Sequence, residues 1–467
     1  MGASPAGEPS APDVLSPSFV AELRRIVGDA QVITDPDRRS SYERDWTGRF
    51  VGATPAVVRP GSALEIQGLV ELCREGGVAI VTQGGNTGLV GGGVPLAGEV
   101  VLSTRRLNSL GAVDERARQV TVGAGATLAA VHDEAASVGL RYAVDLGARD
   151  SATIGGTVAT NAGGVHVLRH GPTRMQLAGV EAVLGTGALV SHLGGLEKDN
   201  TGYDLAQLLC GSEGTLGIVT AARLRLISAP PAGVTALVGF ADPDVAVDAV
   251  AQLIREVPEL EVAELFLDDG LELVCTTIGL ARPFQQHWPV YVLLEAVGRH
   301  DPTAVLAAAL EPLVGDDAVA VATDDARRAD LLRYREEHTP VINTLGPPHK
   351  LDVTLPLTGL AAFVDDVPAA VRSVAPDART WLFGHVGDGN IHVNVTGVAP
   401  EDERVDDAVL HLVAERGGSI SAEHGIGTAK RRWLSLARSP AELSTFAAIK
   451  RALDPDGILN PHVLVEV

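Results

Sequence analysis

The sequence predicts an α+β protein of more than one domain, and three observations carry that reading. A chain of 467 residues is too long for one ordinary hydrophobic core. From Pro55 to Ile227, short apolar β-rich runs alternate with glycine-rich turns. At Ser228-Ala-Pro-Pro-Ala-Gly233 the texture changes to longer helical patterns with intervening strands, which marks a domain boundary. In order, Ala56–Arg59 reads as a strand and Ser62–Gly76 as a helix. Ser62 is the N-cap of that helix, and the pair Gly76-Gly77 is its stop. Val78–Val81 is the next strand. Beyond the boundary, Thr235–Phe240, Val290–Glu295 and Leu351–Leu355 read as strands, and Ala441–Leu453 as a last helix. The expected division is 1–29 tail and start of a first helix, 30–228 first domain, 229–422 second domain and 423–467 a C-terminal segment.

Hydrophobic residues make up 46% and charged residues 21%, as in ordinary globular proteins, which excludes wholesale disorder. The net charge of −22 repels phosphate backbones and argues against a nucleic-acid partner. An anionic ligand would therefore need local cations. Cys73, Cys210 and Cys275 are far apart, which excludes a Cys-ligated cluster and argues against a disulfide framework. Met1–Leu15 lacks a basic start and an apolar run, so it reads as a flexible tail rather than a secretory signal. With no apolar stretch long enough to span a bilayer, the expected location is cytoplasmic. No strand–G-x-G-x-x-G–helix unit and no Gly-Lys dipeptide occur, so neither a nicotinamide Rossmann site nor a Walker loop is supported.

Three glycine-rich segments lie in the first domain. Residues 83–93 read Q-G-G-N-T-G-L-V-G-G-G, where Gly84, Gly85 and Gly88 are expected to take positive φ and expose N–H groups to phosphate. Asn86 and Thr87 would add side-chain donors. Residues 151–164 read S-A-T-I-G-G-T-V-A-T-N-A-G-G, small enough for a flat ring to lie against the backbone. Residues 211–218 read G-S-E-G-T-L-G-I.

Residues 384–394 read G-H-V-G-D-G-N-I-H-V-N. A two-residue Asp388-Gly389 turn would set His385 directly opposite His392, with Asn394 on the same face. Two imidazoles so placed suit one metal ion. Ser421-Ala-Glu-His-Gly-Ile-Gly427 supplies a third ligand candidate, Glu423, beside His424, which would act as a base. Donor type leaves the metal open between Zn and Mn, Fe or Co.

Lysine occurs only at positions 198, 350, 430 and 450. Lys350, Asp352 and Thr354 alternate onto one strand face. Arg335 and Thr339 fall on one side of a helix, with an end or kink imposed by Pro340.

The glycine segments, with Lys198-Asp-Asn-Thr-Gly-Tyr-Asp-Leu205 between the second and third, resemble the vanillyl-alcohol-oxidase-type FAD enzymes. Within that group the chain is similar to FAD-linked D-2-hydroxyacid dehydrogenases, the D-2-hydroxyglutarate and D-lactate branches, from Tyr42 to its end. The resemblance implies a two-subdomain FAD-binding domain, a substrate domain with an antiparallel sheet and a short C-terminal helical segment. It implies FAD contacts at Gly84, Gly85, Asn86, Thr87, Gly88, Leu89, Ser151, Gly155, Gly156, Ala159, Thr160, Asn161, Gly163, Gly164, Gly214, Ile218 and Asn460. With Asn86 and no His or Cys in the first loop, the flavin is expected to be non-covalent. His385, His392 and Glu423 match the family's metal ligands, with Zn2+ the first expectation, and His424 its catalytic base. Arg335, Thr339, Lys350, Asn394 and His424 match its substrate contacts. A second cation suits a second carboxylate, so D-2-hydroxyglutarate is expected ahead of D-lactate or glycolate. Electrons would leave to an electron-transfer flavoprotein or a quinone. A metal-free FAD oxidase of sugars or phenols, and a non-catalytic flavin-carrying subunit, are the alternative functions; a homodimer is among the open assemblies.

Overall fold

The computed structural model describes residues Leu15–Val465. The expected tail, apart from Leu15, lies outside the described residues. The chain forms two compact units. The first comprises residues up to Gly164, Pro172–Ser228 and Glu423 onward; the second comprises Val165–Gly171 and Ala229–Ala422. The short run Val165–Gly171 thus leaves the span expected for the first domain, because Arg169 donates to Val297 O and faces Glu261 in the second unit. No helix among the described residues is long and apolar enough to cross a membrane.

In the first unit, one sheet has the order Val32–Ile33, Val57–Val58, Val100–Ser103, Ile80–Gln83, with parallel pairing among its last three strands. The helix Ala63–Gly76 precedes the strand Ile80–Gln83. Ser62 Oγ caps its start by accepting from Glu65 N, and Gly77 ends it in the left-handed region. Ile66, Leu69, Val70 and Cys73 bury its inner face. A second, antiparallel sheet runs Gln119–Gly123, Gly217–Arg225, Leu177–Leu184, Leu189–His192. One core joins both sheets, reaching from Leu23 to Leu459. The C-terminal segment belongs to this core: Ile80 N donates to Ile458 O, and Asn460 N to Ile80 O.

The second unit is built on a seven-stranded antiparallel sheet. Its order is Val319–Ala322, Ala232–Phe240, Val290–Gly298, Leu260–Leu267, Arg379–His385, Asn390–Thr396, His349–Thr354. One face is apolar at Leu237, Phe266, Tyr291, Leu293, Trp381 and Phe383. Leu271, Tyr334 and Ile342, from the helices Asp268–Ile278, Asp325–Glu336 and His338–Asn343, pack on it. Strand alternation carries the same face on from Phe266 to Glu264 and from Phe383 to His385. There the face changes from apolar to ionisable.

Candidate active site

The three glycine segments meet within the first unit, for a reason that differs from the expectation. Gly84, Gly85 and Gly88 are not among the residues at positive φ; the glycines that take it are Gly91, Gly164, Gly211 and Gly214, and each segment also holds one non-glycine residue there, Asn86, Asn161 and Glu213, as does Asn460 beyond them. Gly84 and Gly85 serve close approach instead. A Cβ on Gly84 would lie 2.2 Å from Thr153 Oγ1, and one on Gly85 would lie 2.0 Å from Ser151 O. Gly155, on the helix Ile154–Thr160, would likewise meet Ala124. The third segment braces that helix: Gly211 N donates to Val158 O and Glu213 N to Ala159 O. Left-handed backbone is strained for residues other than Gly, and here asparagine side chains secure it. Asn86 Nδ2 donates to Arg44 O. Asn161 Oδ1 accepts from Arg174 N. Asn460 accepts from Thr82 N and donates to Gly92 O and Glu213 O.

In the second unit, the ribbon 379–396 turns differently from expectation. A 3-10 turn at Val386–Asp388 with left-handed Gly389 replaces a two-residue turn. Phe383, not His385, therefore stands opposite His392, while His385 pairs with Glu264 on the neighbouring strand. Because Phe383 and His385 share a face, the imidazoles still converge diagonally, with ring centres 5.3 Å apart and planes nearly perpendicular.

Each imidazole has a carboxylate at Nδ1. His385 Nδ1 bonds Glu264 Oε1, and His392 Nδ1 lies 3.4 Å from Asp352 Oδ1. A ring held through Nδ1 presents Nε2 as its ligand nitrogen. Buried Asp352 also accepts from Asn390 Nδ2 at 2.8 Å. Buried Glu264 accepts from Arg335 Nε at 2.6 Å on its other oxygen. Burial alone would raise the Glu264 carboxyl; Arg335 and then His385 outweigh it and hold it down at about 2.

Arg335 lies over the Phe383 ring, 4.5 Å from its centre. The helix carrying it ends at Glu336, and Thr339 sits on the following helix, so the two do not share one helix as expected. Lys350 stands opposite Asn394, one step along the face from the Asp352–His392 pair. Burial brings the Lys350 amine down to about 8.

Glu423 and His424 lie in the first unit. Glu423 Oε2 accepts from Gly164 N at 2.9 Å, tying it to the end of the second glycine segment. His424 Nε2 is 3.6 Å from Glu423 Oε1. The loop beyond them is held by Glu213, whose two oxygens accept from Ile426 N at 2.9 Å and Gly427 N at 2.7 Å. Burial raises the Glu213 carboxyl, opposed by those two N–H groups and by Lys430.

Sequence comparison bears on what this arrangement holds. Residues 54–192 match the model of an FAD binding domain, and residues 229–464 that of the C-terminal domain of FAD linked oxidases. The chain belongs to the FAD-linked oxidase family. It is an FAD-dependent oxidoreductase. Among relatives in the family, it is 39% identical to a D-2-hydroxyglutarate dehydrogenase of Xanthomonas citri pv. viticola, over 96% of this chain and 97% of that one. It is 37% identical to a mitochondrial D-2-hydroxyglutarate dehydrogenase of Bos taurus, over 97% of this chain and 84% of that one. In fold it is similar to p-cresol methylhydroxylase, with TM-score 0.78 at 18% identity, covering 96% of each chain. The 4-ethylphenol oxidase of Gulosibacter chungangensis superposes with TM-score 0.77 at 18% identity, covering 98% of this chain and 99% of that one. These likenesses establish the vanillyl-alcohol-oxidase-type fold.

The residues present fit the cofactor: loops stripped of Cβ atoms at Gly84, Gly85 and Gly155 bring three backbone segments together. Within the second unit, the two carboxylate-backed imidazoles of His385 and His392 are donors of a kind that suits a divalent ion. Sequence reasoning missed Glu264 and Glu213. The available signals were a carboxylate inside the apolar run Leu260–Leu267, and a Glu between two glycines of the third segment.

Proposed function

We propose that this chain oxidises a D-2-hydroxy acid, D-2-hydroxyglutarate foremost, to the 2-oxo acid. One observation carries the choice of substrate. Lys350 and Asn394 form the pair next to Asp352 and His392 on one sheet face, so a second cation lies beside the imidazoles. A dicarboxylate gives that cation a partner, whereas lactate does not. The relatives named above are in keeping with it.

FAD when bound would supply the hydride acceptor, and a divalent ion, for which the family resemblance marks His385, His392 and Glu423 as ligands, would supply a Lewis acid. Zn2+ suits two nitrogens and one oxygen. His424 takes the hydroxyl proton as the Cα–H bond releases its hydride. Arg335, Thr339 and Asn394 orient the substrate, and Lys350 holds the distal carboxylate. Two electrons leave the substrate, so reoxidation needs a separate acceptor, an electron-transfer flavoprotein or a quinone.

Anaerobic stopped-flow mixing of the purified yellow protein with D-2-hydroxyglutarate, its L enantiomer and D-lactate tests the reading. The expected result is bleaching of the flavin band by D-2-hydroxyglutarate, slower bleaching by D-lactate and none by the L acid. No bleaching by any 2-hydroxy acid would sink it.

A further inference from the structure

Glu264 touches both kinds of group in the second unit, the proposed substrate cation Arg335 and the candidate ligand imidazole of His385. One oxygen accepts from Arg335 Nε at 2.6 Å, and the other bonds His385 Nδ1. Its side chain is 3% exposed, so the pair of contacts is shielded from water. Three features fix its position. The strand pairing sets Glu264 directly across from His385. Phe266 and Phe383, two residues along on the same strands, anchor the register in the apolar core. Arg335 is held a second way, by its seat over the Phe383 ring. Among the described residues, Nη1 and Nη2 of Arg335 make no hydrogen bond, so its outer fork remains to receive a carboxylate.

We propose that Glu264 is a positioning residue that couples substrate capture to metal affinity: by holding Arg335 and His385 at once, it makes the affinity of each side depend on the other. A carboxylate at Nδ1 orients the ring and strengthens Nε2 as a donor. The same carboxylate fixes the plane of the Arg335 fork. Loss of either contact frees Glu264 to turn toward the remaining partner. The inference rests on the proposed reading in that His385 is taken as a metal ligand.

The test uses FAD-loaded protein stripped with a chelator and titrated with Zn2+ by calorimetry, together with steady-state kinetics on the Zn2+-loaded enzyme. Glu264→Gln is expected to weaken Zn2+ binding by about 10- to 100-fold, and to raise KM for D-2-hydroxyglutarate more than kcat falls. Arg335→Gln, which touches no metal ligand directly, is expected to shift the Zn2+ Kd as well, and to shift it no further in the Glu264→Gln background. The flavin spectrum reports that each variant is folded. A Zn2+ Kd unchanged within about twofold in Glu264→Gln, or additive effects of the two substitutions, would overturn the coupling while leaving the dehydrogenase reading intact. A wild-type protein that binds no Zn2+, Mn2+ or Co2+ would remove the metal reading, and this inference with it.

Discussion

Phe383 stands opposite His392, and His385 meets His392 across the diagonal. The aromatic ring, 5.3 Å from that of His392, fills the place that a direct imidazole pair would have taken. If the diagonal pair is the metal-holding element, His392→Ala should lower divalent-metal affinity by more than about a hundredfold. FAD content should stay unchanged, because the glycine segments belong to the other unit. Metal analysis and the flavin absorbance of one purified sample check both halves.

Lys350 gives a pH prediction with a definite sign. Its amine is brought down to about 8 by burial, so the cation predominates below that pH and is lost above it. KM for D-2-hydroxyglutarate should be flat up to about pH 8 and then rise by up to about tenfold per pH unit. KM for D-lactate, which has no distal carboxylate, should show no such rise. Lys350→Met should abolish the difference between the two profiles and raise the hydroxyglutarate KM by about 10- to 100-fold.

Glu213 holds the loop that follows His424 without touching the proposed reacting atoms. Glu213→Gln keeps the shape but weakens a charge-assisted pair of N–H bonds, and should destabilise the protein by about 1–3 kcal/mol. A larger effect is expected on kcat than on FAD affinity, since Ile426 and Gly427 adjoin the base-bearing residues. Urea unfolding followed by flavin fluorescence, alongside turnover, separates the two.

Lys450 is a fully buried cation of the first unit. Its Nζ donates to Asp454 Oδ2, Thr215 O and Leu459 O. Lys450→Met would leave Asp454 buried without its counter-charge, and should cost about 3–5 kcal/mol. Lys450→Met/Asp454→Leu should recover much of that loss. Denaturant midpoints for the single and double variants decide it.

Much of the fold is legible in local chemistry. The Ser62 cap and the Gly77 stop bound their helix because both ends carry their own hydrogen-bonding solution. The second unit's strands at Val290, Thr235 and Leu351 follow from apolar runs between turn residues. The candidate site is legible only as residue types. His385 and His392 announce themselves by their spacing, but Asp388-Gly389 does not reveal that Val386–Asp388 winds into a 3-10 turn. That turn decides which residue faces which. Glu264 was beyond reach for another reason: it sits 121 residues from His385 in sequence, and only the sheet order makes them neighbours. The glycine loops show a similar limit. Composition marks them as special, yet the strained backbone falls on Glu213 and on asparagines whose bracing partners are distant, such as Asn460 on Thr82.

The bond from Ile80 N to Ile458 O has a consequence for how the molecule is made. The open edge of the strand Ile80–Gln83 finds its neighbour at Leu459, after the whole second unit has been synthesised. Until then a nascent chain carries an unpaired strand edge next to the first glycine loop, a surface prone to wrong pairing. The second unit can form on the ribosome, but the nucleotide cradle cannot be finished until the last helix and Asn460 have emerged. Ribosome-stalled chains ending before residue 450 should therefore be the species that chaperones hold, and the ones that fail to retain flavin.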